Sequence, residues 1–227
     1  GVSVEEYRKE GFLPEALANY LILLGWTPPG ENEVLSLGEA VRLFDIPAMN
    51  DVQAKFDIQK LRWMNGEYIM KKKTAELLPL VKGQLESRGF DLAGFPEEYI
   101  ASALDLYKVR IKVLSDFPRA ADFFFKDEFD REDEGKKFTG SEENRRNIGL
   151  FADRLEKLTC WNRAEIEKAC RDLAEAKGWK AAQIIHPTRM AVSGKTKGAG
   201  LFEMMEVLGR EKTLMRMRSV AHGHTQD

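Results

Sequence analysis

No stretch of this 227-residue chain alternates apolar and polar residues with a period of two, whereas apolar residues recur at three- and four-residue spacing almost throughout. That pattern disfavours a sheet-based core and predicts an all-α protein: a helical subdomain followed by a helical cage of one or two lobes. Helix starts carry consistent signals. Ser3 with Glu6, and Ser36 with Glu39, have the form of a capping box. Pro14 stands at a first-turn position, and Asp57, Ser141 and Asn162 each precede an apolar-periodic run. Gly11, Gly25, Gly89 and Gly178 mark expected stops.

One stretch is denser in information than the rest. In FDIQKLRWMNGEYI, Phe56 to Ile69, Asp57 should cap a short amphipathic helix that Asn65-Gly66 stops and turns. Lys60, Arg62 and Trp63 place two cations and a flat ring within one turn; the plain physical expectation is a core helix, with Trp63 inside and the charges solvated. Further on, Thr74 should cap a helix through Leu77, Val81 and Leu85. Pro96 opens a longer one whose stripe runs Ile100, Leu104, Tyr107, Ile111 and Leu114, with Leu106, Arg110 and Val113 on one ridge. Asp116 to Phe125 forms a short aromatic helix, and Trp179 onward adds three more short helices. Asp45 to Lys55 is a connector and Ala221 to Asp227 a frayed tail. Lys126 to Gly140 is the most charged and least periodic part, a surface loop and a candidate for disorder.

Composition narrows the function classes. With 43% hydrophobic and 32% charged residues the chain suits a soluble globular protein. Its longest aliphatic block, Leu21 to Leu24, is far short of a membrane span. Cys160 and Cys170 fit a reducing cytosol as small apolar residues, so a cytoplasmic location is expected. The three histidines make no metal-ligand spacing with the cysteines; His186 has no partner pattern for a triad, and Glu132-Asp133-Glu134 shows no sign of the burial that tunes catalytic carboxylates. A net charge of −2 hides an asymmetry: Gly1 to Met70 carries six Lys/Arg against eleven Asp/Glu, and Lys180 onward carries eight against four. Such a distribution permits a basic face for RNA. Ordinary solvated helix faces account for it equally well.

Three segments, in order, resemble one family. FDIQKLRWMNGEYI is similar to the block that joins the catalytic and anticodon-binding halves of bacterial-type glutamyl-tRNA synthetases. GFLPEALANYLILLGW (Gly11 to Trp26) resembles the segment after that family's Lys-Met-Ser-Lys-like loop. HPTRMAVSGKTKGAGLFEMMEVLGRE (His186 to Glu211) resembles its closing block, although Gly198-Ala199 stands where the family often has a Thr-Pro or Ser-Pro pair. The resemblance implies a helical stem-contact subdomain over residues 1–70 and an anticodon-binding domain over 71–227, joined at Lys71-Lys72-Lys73, with a lobe boundary near 126–140. Neither the His-Ile-Gly-His-like nor the Lys-Met-Ser-Lys-like element occurs, so the chain is expected to be a C-terminal fragment, catalytically inactive alone.

For the parent enzyme the resemblance implies a monomeric glutamate–tRNA ligase that uses ATP with magnesium, and glutamate tRNA as the partner of this fragment. It places Arg110 at the third anticodon base and Arg189 near the first. A guanidinium is planar, permanently charged and donor-only, which suits the acceptor edge of a splayed cytosine. Lys60, Arg62, Lys108, Lys195 and Lys197 are the candidate tRNA backbone contacts. From the residues alone, each of these cations can equally be a surface side chain. Two readings from other classes stand beside this one: a helical protein–protein interaction module, and a tRNA-binding domain acting in trans.

Overall fold

The computed structural model describes residues 3–49 and 55–223. The middle of the predicted 45–55 connector and the end of the predicted tail therefore lie outside the described residues. Helices run in chain order: α1 (Val4–Glu10), α2 (Pro14–Gly25), α3 (Leu37–Leu43), α4 (Ile58–Lys71), α5 (Thr74–Glu86), α6 (Glu97–Tyr107), α7 (Asp116–Ala120), α8 (Lys136–Gly140), α9 (Glu142–Leu155), α10 (Arg163–Lys177), α11 (Ala182–Ser193), α12 (Leu201–Leu208) and α13 (Arg210–Ala221). Single 3₁₀ turns occupy Ile46–Ala48, Asp122–Phe124 and Asp133–Gly135. Extended pairing among the described residues is one isolated bridge, Trp26 with Met49. The all-α expectation holds.

Capping follows the sequence closely. Both capping boxes form at Ser3/Glu6 and Ser36/Glu39, and Asp57 accepts from the Gln59 and Lys60 amides. Asn162 and Ser141 cap α10 and α9. Thr74, expected as a cap, is the first helical residue of α5 instead; Lys73 holds the cap position and its amide reaches the Glu76 carboxylate at 3.3 Å.

The chain forms two compact units. The first comprises Gly1–Leu92 and Tyr107–Ala120, the second Ala93–Leu106 and Ala121–Asp227. In the first, Phe12, Tyr20, Leu61, Met64 and Val113 make a buried cluster on which Tyr7, Leu17, Leu24 and Tyr68 pack. In the second, α9 packs against α10, α11 and α13, burying Ile148, Phe151 and Leu155 with Ile166, Ile184, Met217 and Val220.

Four further expectations need correction. Asn65-Gly66 does not stop α4, which continues to Lys71. The Asn65 side chain is fully buried and bonded to other segments, so it does not compete with its own helix backbone. Trp63 is not a core residue; it is 42% exposed, because two residues from Leu61 and from Asn65 is about 200° around the helix from the buried stripe. The long helix from Pro96 ends at Tyr107, and although Ile111 and Leu114 are buried as expected, they are not on it. Lys126 to Gly140 is not a free loop. It contains α8, and both Gly135 and Thr139 are buried.

Candidate nucleic-acid interface

Arg110 lies in the turn between α6 and α7, with its side chain exposed. The turn starts with local bonds, the Arg110 and Ile111 amides donating to the Tyr107 carbonyl at 2.8 and 3.2 Å. Its later backbone groups find partners elsewhere, which is why the helix does not continue. Asn65 Nδ2 donates to the Lys112 carbonyl at 2.6 Å, and the Leu114 amide donates to the Gly11 carbonyl at 3.0 Å. The Asp116 carboxylate accepts from the Lys112 and Val113 amides at 3.0 and 3.1 Å, and Arg62 Nη2 lies 3.3 Å from both its oxygens. Lys108 Nζ donates to the Lys72 carbonyl at 2.6 Å. This unit thus brings Arg62, Lys108 and Arg110 onto one small structure. Lys60 is engaged separately, 2.7 Å from Glu33, with both side chains about 40% exposed.

Arg189 lies on α11, half-buried, and its carbonyl accepts from the Ser193 hydroxyl at 2.8 Å. Gly194 ends that helix in the left-handed region at φ 68°. The following segment is stitched to the acidic stretch that the sequence left loose. The Glu132 amide donates to the Gly194 carbonyl at 2.8 Å; the Thr196 amide and hydroxyl donate to the Glu132 carboxylate at 2.7 and 2.5 Å. Burial pushes Glu132 up, but the Thr196 bonds and the charges of Lys195 and Lys197 outweigh it and hold the carboxyl below its usual range. A Cβ on Gly194 would come 2.5 Å from the Asp130 carbonyl, so this approach requires glycine. Lys195 is buried, 3.0 Å from Asp122 and 3.3 Å from the Asp130 carbonyl, while Lys197 is exposed.

Beneath this segment lies Arg216, 4% exposed, donating to the carbonyls of Val192, Phe123 and Lys126 at 2.6–2.8 Å. Its guanidinium lies 4.3 Å from the centre of the Phe129 ring, and that of Arg131 lies 5.1 Å from the same ring. Burial lowers the Arg216 pKa to about 10, which leaves it charged at neutral pH.

Asn65, Asp116, Asp122, Glu132 and Arg216 were not singled out as site residues from sequence. Glu132 lies in a charge cluster that points to solvent, and Asn65 in a pair that reads as a helix stop. The others are lone polar residues inside apolar runs, a weak signal that becomes meaningful once a buried polar residue is expected to have specific partners.

Among the described residues no group of His, Cys, Asp or Glu could hold a cation. At the glycine-containing start of α12, Gly198 to Gly200, the Glu203 carboxylate folds over the terminus: a Cβ on Gly200 would lie 2.1 Å from it. A carboxylate there repels phosphate. No helix among the described residues is long and apolar enough to cross a membrane.

Comparison with known proteins accords with this geometry. Residues 71–221 match the anticodon binding domain family, and residues 1–63 match the catalytic domain family of class I tRNA synthetases (E and Q). A glutamate–tRNA ligase of Moorella thermoacetica is 40% identical over 96% of this chain and 46% of its own length. One from Porphyromonas gingivalis is 35% identical over 93% and 41%. The chain thus spans under half the length of these relatives. The crystal structure of a glutamate tRNA ligase from Elizabethkingia meningosepticum, in complex with its amino acid, superposes with a TM-score of 0.85 at 27% identity, over 96% of this chain and 42% of that one. With two thirds of its residues matched by one family model and nearly all of them aligned to these ligases, the chain belongs to the anticodon binding domain family in the form that glutamate–tRNA ligases carry.

Proposed function

We propose that the chain is the stem-contact and anticodon-binding part of a glutamate–tRNA ligase, residues 1–70 forming the former and 71–227 the latter. Its ligand is glutamate tRNA. Arg110 reads the third anticodon base and Arg189 lies near the first. The parent enzyme attaches glutamate to that tRNA with ATP and magnesium, and works as a monomer in the cytoplasm. The observation that supports this reading is the match of residues 71–221 to the anticodon binding domain family, a span that takes in both Arg110 and Arg189. Arg110 extends an exposed side chain from a turn held by several elements. Arg62, Lys108 and Lys195 have internal partners, which weakens their case as phosphate contacts. Exposed Lys197 is the best-placed phosphate contact, followed by Lys60, whose half-exposed pair with Glu33 exchanges readily.

Arg110→Gln tests it. The change replaces a donor-only fork with an amide that has one donor and one acceptor side. Affinity for a tRNA whose anticodon ends in cytosine should fall by about 1–3 kcal/mol, the worth of a good bidentate base contact. A guanine-ended anticodon, as in glutamine tRNA, should lose less, since the amide oxygen accepts from guanine. Titrating wild type and variant with both tRNAs in one buffer measures the ratio directly. An unchanged ratio removes Arg110 from the site, and absence of tRNA binding at low salt points to a protein-interaction module instead.

A further inference from the structure

Three residues of α4 face the turn that carries Arg110. Arg62, Asn65 and Gly66 stand at positions i, i+3 and i+4, which share one face of a helix. Arg62 holds the Asp116 carboxylate that caps the Lys112 and Val113 amides. Asn65 holds the Lys112 carbonyl and, through Oδ1, the Leu13 amide at 2.7 Å. Gly66 leaves room for the Lys112 side chain, whose Cδ would lie 2.6 Å from a Cβ placed there. The turn's polar groups are thus fixed from outside, at the two residues that follow Arg110 most closely after Ile111.

Resting on the proposed role of Arg110, we infer that Arg62 is a positioning residue for anticodon discrimination, acting through Asp116 on the Arg110 turn, and that it makes no phosphate contact. Its guanidinium already has an anionic partner, and that partner's other bonds lie entirely within the turn. Remove the cation and the carboxylate still caps two amides, but its own tie to α4 is gone and Asn65 alone holds the turn to that helix. With one of its anchors gone the turn is held less tightly, and the fixed geometry that a bidentate base contact requires is weakened. A phosphate contact would behave differently, because it is blind to base identity and responds to salt.

The test uses the whole 227-residue chain with two tRNAs, cytosine-ended and guanine-ended, at two salt concentrations. Wild type is compared with Arg62→Met, Arg62→Lys, Arg110→Gln and the Arg62→Met/Arg110→Gln double variant. Arg62→Met should reduce the cytosine-to-guanine affinity ratio by about threefold to tenfold, within the range of a weakened base contact. Arg62→Lys, which keeps the charge opposite Asp116, should recover part of it. In the double variant the ratio should match that of Arg110→Gln alone, since both changes disable one contact. Amide hydrogen exchange should speed up at Lys112 and Val113 in Arg62→Met while the core amides of α4 hold; general acceleration would mean the variant is merely unfolded, and Arg62→Lys then decides. The inference is overturned if Arg62→Met weakens both tRNAs equally and lowers the salt slope by about one, as loss of a phosphate contact does. It is also overturned if its effect on the ratio adds fully to that of Arg110→Gln. An unchanged ratio in Arg110→Gln itself instead removes the underlying reading of Arg110.

Discussion

The ammonium of Lys195 lies 3.0 Å from the carboxylate of Asp122, and both side chains are about nine-tenths enclosed. A charge in such a position is held by its partner, and removing one member strands the other. Lys195→Met should therefore destabilise the second compact unit by about 3–5 kcal/mol. For a chain of this size that lowers the melting temperature by about 6–20 °C. Combining it with Asp122→Leu should recover much of the loss, because an apolar pair of similar volume avoids the stranded charge. A normal melting temperature together with weaker, less salt-sensitive tRNA binding would return Lys195 to the phosphate contacts.

The bond between Glu132 and Thr196 should make the segment after α11 sensitive to acid. The Glu132 carboxyl is held below its ordinary value of 4.5, so its contribution is complete above that pH and is lost as pH falls through the depressed folded value. Amide exchange at Thr196 should stay slow from pH 7 down to about 5, then quicken on further acidification, after correction for intrinsic rates. In Glu132→Gln the acid dependence should vanish. Persistence of the transition in that variant would assign it to another carboxylate.

Much of the architecture was legible in the residues. Capping boxes at Ser3 and Ser36, the caps at Asp57 and Asn162, and the spacing of apolar positions located most helices. Local rules failed where a polar residue answers to a distant segment. Asn65-Gly66 has the composition of a helix stop, and nothing nearby in sequence reveals that Gly11, Leu13 and Lys112 will meet it. The helix end at Tyr107 has a similar cause: Ile111 and Leu114 keep helical spacing, yet between them Asn65 takes the Lys112 carbonyl and Asp116 takes the Lys112 and Val113 amides. The candidate readers Arg110 and Arg189 were found by resemblance alone. Which of the neighbouring cations have internal partners could only come from the fold.

The two cysteines should react very differently. Cys160 is exposed, while Cys170 is wholly buried and burial pushes its thiol pKa up to about 11. Since the thiolate is the nucleophile, brief treatment of the folded chain with iodoacetamide at pH 8 should modify Cys160 and leave Cys170 untouched. Peptide mass mapping separates the two sites. Equal labelling without denaturant would show that α10 opens readily and is not held as its burial implies.

Gly11 and Gly66 meet the same turn, but only one of them should be indispensable. Gly11 adopts φ 86°, and a Cβ there would lie 2.7 Å from the Leu114 amide nitrogen and Cβ and 2.9 Å from its Cα. Those atoms belong to backbone that also donates to the Gly11 carbonyl, so they cannot withdraw without breaking that bond. Gly11→Ala thus combines left-handed strain of about 1–2 kcal/mol with overpacking of about 1–3 kcal/mol. Gly66 is helical, and a methyl added there would meet chiefly the Lys112 side chain, at Cδ 2.6 Å and Nζ 3.1 Å. A flexible lysine can swing aside, and alanine gains about 1 kcal/mol of helix propensity over glycine. Gly66→Ala should therefore fall within about 1 kcal/mol of wild type, while Gly11→Ala loses about 2–5 kcal/mol. Urea unfolding of the two variants under the same conditions measures both. Equal losses would mean that Lys112 is as immobile as the backbone of Leu114, and that the face of α4 beneath the Arg110 turn tolerates no added volume.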